Sequence, residues 1–100
     1  MNIHAITSSI QQQCAEIFKQ FPVQRAAVFG STLHVPIQQA HDIDIVIDLH
    51  KKIGLIKFIE LQQLLSDKLG KPVDLVTYPS LHPALRKHIE HEAQTIYEHN

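Results

Sequence analysis

The sequence predicts an α/β (α+β) fold, a small mixed β-sheet flanked by helices, and two observations predict it. Helix-period and strand-period segments alternate in the order helix, strand, loop, strand, helix, strand, helix. Glycines and prolines, among them Pro22, Gly30, Gly70 and Pro72, fall at the joints of these segments and cut the chain into short pieces. No repeat, low-complexity tract or linker appears, so residues 1–100 read as one domain.

Each element follows from its own pattern. Thr7-Ser8-Ser9 offers N-cap hydroxyls ahead of Ile10, Cys14, Ile17, Phe18 and Phe21, an amphipathic spacing stopped by Pro22. Arg25 to Phe29 is a short strand ending at Gly30. Residues 31–41, with Pro36 in their middle, form a loop with room for one helical turn after Gly30. Asp42 to Asp48 is the clearest strand, because Ile43, Ile45 and Ile47 alternate with other positions. Gly54 to Leu69 carries Leu55, Phe58, Ile59, Leu61, Leu65 and Leu69, with Gly70 at the C-cap, and is the longest helix. Pro72 to Thr77 is a strand whose first residue tolerates a missing N–H. Pro79 and Pro83 open a last helix to about Glu92, and Thr95-Ile96-Tyr97 makes a final edge strand.

A chain of 100 residues can bury roughly 60% or more of its unfolded surface, enough for one core. The hydrophobic content of 44% excludes disorder. A formal net charge of −1 without a basic run argues against direct binding of duplex nucleic acid. The single cysteine, Cys14, falls on the apolar stripe of the first helix, so it reads as a small buried hydrophobe in a reducing, cytoplasmic setting. No stretch approaches the ~20 apolar residues of a membrane span, and no signal segment is visible.

Three carboxylates carry the chemistry. On one strand Asp42 and Asp44 project to the same face, about 6.6 Å apart. No basic residue separates them, and the mutual repulsion is tolerable with a divalent cation between them. Asp74 interrupts the apolar run Val73-Asp74-Leu75-Val76 on a further strand. Three such side chains could hold two metals about 3.5–4 Å apart, an arrangement that serves in-line phosphoryl displacement. Asp48 lies on the same face but two pleats away, out of reach. Phe29-Gly30-Ser31 ends a strand and turns. Glycine lets a phosphate approach the backbone, and the following N–H groups and the Ser31 hydroxyl can donate to it. Each half of this pattern is common alone. Gly-Ser after a strand, ten residues, then Asp-x-Asp opening a strand is far more specific.

Gly30-Ser31, the ten-residue gap and Asp42-Ile43-Asp44 resemble the signature of the DNA polymerase β-like nucleotidyltransferase superfamily. Length and ending resemble its minimal branch, the MNT domains, particularly from Lys71 to Glu98, where the third carboxylate in Val73-Asp74-Leu75-Val76 precedes a helix and a short strand ending Tyr97-Glu98. The resemblance implies that Asp42, Asp44 and Asp74 ligate Mg²⁺ or Mn²⁺. It implies that Asp74 also helps deprotonate an acceptor hydroxyl, and that Gly30 and Ser31 hold the phosphates of ATP. Members often carry Ser-Arg-x-Arg-Gly after the glycine; here Thr32, His34 and Val35 replace the two arginines and the glycine, and His41 replaces the serine before the first aspartate. A charge-assisted hydrogen bond contributes about 1.5–3 kcal/mol, so each lost arginine weakens nucleotide binding by roughly ten- to hundredfold.

The resemblance further implies a partner. Minimal members pair with a small helical HEPN protein encoded nearby, as the antitoxin of a two-component module, and attach AMP to a tyrosine of that HEPN toxin. The chain has no room for an acceptor-binding domain, so the acceptor comes with another protein or is held at a homo-oligomer interface. Two alternatives stand: a binding module that neutralises its partner by occlusion, and a small-molecule transferase of the aminoglycoside-modifying kind.

Two further features have plain explanations. His88 and His91, one helical turn apart with Glu92 adjacent, read as a solvated helix face more than a zinc site. His41 would face away from Asp42 if the strand has begun there. Leu55, Ile56, Phe58, Ile59, Leu61, Leu64 and Leu65 exceed one helix stripe. The excess is covered either by a partner or a second copy, or by the last helix.

Overall fold

The computed structural model describes residues 3–33 and 41–99, with the side chains of 3–7, 31 and 32 set aside. Its elements are α1 (Ile3–Lys19), β1 (Val23–Phe29), a 3₁₀ turn (Gly30–Leu33), β2 (Ile43–Leu49), α2 (Leu55–Leu69), β3 (Val73–Thr77), a second 3₁₀ turn (Tyr78–Ser80), α3 (Pro83–Glu92) and β4 (Gln94–Glu98). They form the expected mixed sheet, in the order β3-β2-β1-β4. β1 runs antiparallel to β2 and β4, while β2 and β3 are parallel. The β2–α2–β3 crossover is what makes that pair parallel, since α2 returns the chain to the starting end of the sheet. No helix among the described residues is long and apolar enough to cross a membrane.

Alternation along the strands sorts side chains to two faces. Ile43, Ile45 and Ile47 of β2 join Val28, Leu75 and Ile96 in one core, closed by Ile10, Cys14 and Phe18 of α1 and Leu61 and Leu65 of α2. A smaller cluster on the other face packs Ala27, Val46 and Tyr78 against Ile89 of α3. Burying eleven large side chains almost completely supplies the main driving force, at about 1.5–3 kcal/mol each. Cys14 is fully buried, as expected, and burial pushes its thiol up to about 11, so it is inert.

The outer edge of β3 is blunted by α2. The Val73 N–H donates to Ser66 Oγ at 2.9 Å and the Leu75 N–H to Gln62 Oε1 at 3.1 Å. Side chains therefore satisfy backbone donors that would otherwise template a further strand.

Three local readings change. α1 starts at Ile3, upstream of Thr7-Ser8-Ser9, and Ser8 and Ser9 are exposed within it. The spacing of Ile10 and Cys14 continues back through Ile6 and Ile3, and an exposed serine costs a helix only a few tenths of a kcal/mol, about what its propensity deficit implies. Pro79 and Pro83 open two elements, not one. Residue 82 precedes a proline and is held extended (φ −57°, ψ 139°), so a helix cannot pass through it; His82 instead caps α3, accepting the Ala84 N–H at 3.2 Å. α3 lies across the sheet from α2 and does not cover the excess apolar row, where Leu55, Ile56 and Ile59 stay 73%, 82% and 53% exposed.

Candidate active site

Gly30 is where β1 must leave the sheet. Its φ of +67° is a conformation that side chains rarely adopt, and a Cβ there would meet Asp44 Oδ2 at 2.6 Å. Both facts demand glycine, and the second shows that the Asp44 carboxylate lies directly against the turn. The 3₁₀ turn that follows keeps the chain next to β2. Ser31 and Thr32 lie in that turn; their side chains, and His34 and Val35 altogether, fall outside the described residues.

The carboxylates gather at the starting ends of β2 and β3. Asp44 stands opposite Phe29 of β1 and beside Asp74 of β3 in the parallel register, so the two aspartates share the α3 face. Asp42 precedes the first residue of β2 and is exposed; so is Asp74. Burial raises the Asp44 carboxyl above the ordinary carboxylate range, and the negative charges of Asp74 and then Asp42 raise it further. These three acids are thus electrostatically joined. Hard oxygen donors in this number fit a divalent cation. Among the described residues no three His, Cys, Asp or Glu side chains are gathered closely enough to enclose an ion by themselves. Phosphate oxygens of a bound nucleotide would have to complete the coordination. His41 precedes β2 and is exposed, so strand alternation does not apply to it. Asp48, two pleats along, pairs in register with Arg25 and stands apart from the cluster.

One residue at this end escaped the sequence reading. Glu92, the last residue of α3, accepts the Gly30 N–H at Oε1 (3.3 Å), and its Oε2 lies 3.7 Å from Nε2 of exposed His88. The i, i+4 spacing of His88 and Glu92 was visible, but the contact with a glycine 62 positions away was not. Next to them is a depression of about 410 Å³ lined by Gly30, Asp74 and Glu92 together with Phe29, Val76, Leu81, Leu85, His88 and Ile89. A larger depression of about 600 Å³, near Phe21, Lys51, Lys52 and Lys57, contains none of the three aspartates.

Asp44 and Asp74 are thus register-paired, with the Asp44 carboxylate against the Gly30 turn. Residues 12–100 match the family model for polymerase beta nucleotidyltransferases. The chain belongs to the polymerase beta nucleotidyltransferase family. Its fold is shared with a solved protein provisionally described as a minimal nucleotidyltransferase (TM-score 0.68, 26% identity, 94% of this chain and 95% of that one). A Methanocaldococcus jannaschii protein provisionally named a protein adenylyltransferase is 43% identical over 75 residues, spanning 74% of this chain and 76% of its own. The protein adenylyltransferase MntA of Thermococcus cleftensis is 33% identical over 92 residues, covering 92% of this chain and 93% of its own. The fold is shared with a solved complex of a tri-AMPylated Shewanella oneidensis HEPN toxin with an MNT antitoxin (TM-score 0.70, 20% identity, 93% of this chain and 73% of that one).

Proposed function

We propose that this chain is a protein adenylyltransferase that transfers AMP from ATP to a hydroxyl of a small helical HEPN-type partner, and thereby acts as the antitoxin of a two-component module in the cytoplasm. The observation that carries the reading is the Asp44–Asp74 register pair against Gly30, in a chain whose relatives bear adenylyltransferase names. All 100 residues serve as one catalytic domain, and the acceptor is brought by the partner.

In this reading Asp42, Asp44 and Asp74 hold Mg²⁺ or Mn²⁺ together with the triphosphate, and the ion supplies charge neutralisation at the reacting phosphate. Gly30 leaves room for the phosphates beside the backbone, and Ser31 donates to them. The acceptor oxygen bonds to the α-phosphorus as the bond to pyrophosphate breaks. Asp74, at the exposed margin of the cluster, receives the acceptor proton. The raised affinity of Asp44 for a proton is consistent with a site built to be neutralised by cations.

The decisive experiment incubates the chain with ATP, Mg²⁺ and the helical protein encoded beside it, and weighs both proteins intact. A gain of one or more AMP groups on the partner, absent with Asp44→Asn, is expected. Tight complex formation without mass change, equal for Asp44→Asn, would replace this reading with neutralisation by occlusion. Thr32 and His34, standing where the signature that this sequence resembles often has arginine, favour that second reading.

A further inference from the structure

Gly30 meets two demands that pull in opposite directions. Asp44 Oδ2 lies where a Cβ would stand, so the position requires glycine. Yet glycine has the most backbone freedom of any residue, and a turn that presents successive N–H groups to phosphates has to be held still. The β1–β4 ladder stops short of it. That ladder pairs Ala27 with Thr95 and Val28 with Gln94, and the last pairing carried two residues further sets position 92 opposite Gly30. Position 92 is still helix, the last residue of α3, and its carbonyl accepts the Gln94 side-chain amide at 3.3 Å. The Glu92 side chain takes the missing place: its Oε1 accepts the Gly30 N–H at 3.3 Å.

We propose that Glu92 is a positioning residue: by standing in for the absent ladder partner it fixes the peptide before Gly30 and so preorganises the turn that receives the phosphates. The inference rests on the transferase reading, which puts the phosphates at that turn. The chemistry of position 92 separates this role from that of a plain helix terminus. Glu92 ends α3, where the carbonyl end of the helix disfavours a negative charge. It also lines the same depression as Asp74, whose charge disfavours it again. A carboxylate costs stability on both counts. What it contributes in return is a charged acceptor, which bonds an N–H more strongly than a neutral amide does. Its Oε2 lies 3.7 Å from Nε2 of His88, which leaves Oε1 for the turn.

Calorimetric titration of the full chain with Mg²⁺ and a non-hydrolysable ATP analogue reads this role without requiring transfer. Glu92→Ala is expected to weaken binding of the analogue about tenfold. Glu92→Asp, one methylene too short for a bond already 3.3 Å long, should weaken it by a similar factor. Glu92→Gln keeps an oxygen at the same reach and should stay within about threefold of the parent. In the ligand-free chain the Gly30 amide should exchange with solvent faster in the Ala and Asp variants and not in the Gln variant. Should Glu92→Ala fail to fold, the Asp and Gln variants decide alone. Unchanged affinity in Glu92→Ala, with only the melting temperature lowered, would make Glu92 a structural cap and overturn the proposal. Tighter binding in Glu92→Ala would mean that the carboxylate masks a phosphate donor, and would overturn it too. Full binding by Glu92→Asp with loss in Glu92→Gln would make charge the operative property, with the same consequence. Absence of binding by the wild-type chain overturns the transferase reading and this inference together, whereas binding indifferent to residue 92 overturns this inference alone.

Discussion

Asp44 is the residue on which most depends, because it meets Gly30, Asp74 and Asp42 at once. Its proton affinity is raised in the folded protein, so protonation favours the fold. The stabilising contribution is complete below the ordinary carboxylate pKa and is lost as pH rises through the raised value. Asp44→Asn should therefore melt higher than the parent at pH 7, by about 0.5–1 kcal/mol given partial solvation, and the advantage should vanish in acid. Transfer activity should fall by about 10²–10³-fold in the same variant. Melting curves at both pH values, with a transfer assay, check this; a neutral-pH loss of stability would contradict it. Gly30→Ala tests the turn. It combines a left-handed backbone with a Cβ 2.6 Å from Asp44 Oδ2, and should cost about 2–3 kcal/mol in chemical denaturation and abolish transfer.

Helix α2 does two jobs. Leu61 and Leu65 fill the larger core, while Gln62 and Ser66 turn toward the β3 edge and take its N–H groups. Those two bonds tie β3 to α2, while the parallel ladder with β2 on its other edge sets Asp74 beside Asp44. Gln62→Ala should cost about 1 kcal/mol in urea denaturation, the scale of an amide left without its partner, and lower transfer more than binding of the partner. An unchanged midpoint would mean that water replaces the side chain at no loss. At this scale the sequence was highly legible. Hydrophobic periodicity together with the glycine and proline punctuation placed every strand and the ends of α2 to within a residue or two. The failures lay where a local signal was overridden: serines that fit inside α1, and a proline that restricts the residue before it.

For the molecule as a whole, the site joins groups from β1, the turn after it, β2, β3 and α3. A ligand that bridges them binds only the folded state. Mg²⁺ with ATP, each at millimolar concentration, should raise the melting temperature, by about 2.7 kcal/mol of stabilisation at a hundredfold excess over Kd. The increase should disappear in Asp74→Asn; calorimetry with no increase in the parent would count against a nucleotide site. The two helical faces differ in kind. α1 and α2 cover one face of the sheet, α3 covers the other, and the row Leu55, Ile56 and Ile59 remains open to water at the far end from the aspartates.

The sequence by itself determined the strands and helices, their order, the core side of Ile43 and Ile45 in β2, and the glycine turn. All of these follow from local sterics and from hydrophobic periods of two and 3.6 residues. It also marked Asp42, Asp44 and Asp74 as candidates, through a spacing that resembles a family. Only the tertiary structure decided that Asp74 is the register neighbour of Asp44, that Glu92 takes the Gly30 N–H, and that an apolar groove opens beside them. Register and helix docking depend on contacts between residues tens of positions apart, and no local pattern encodes those.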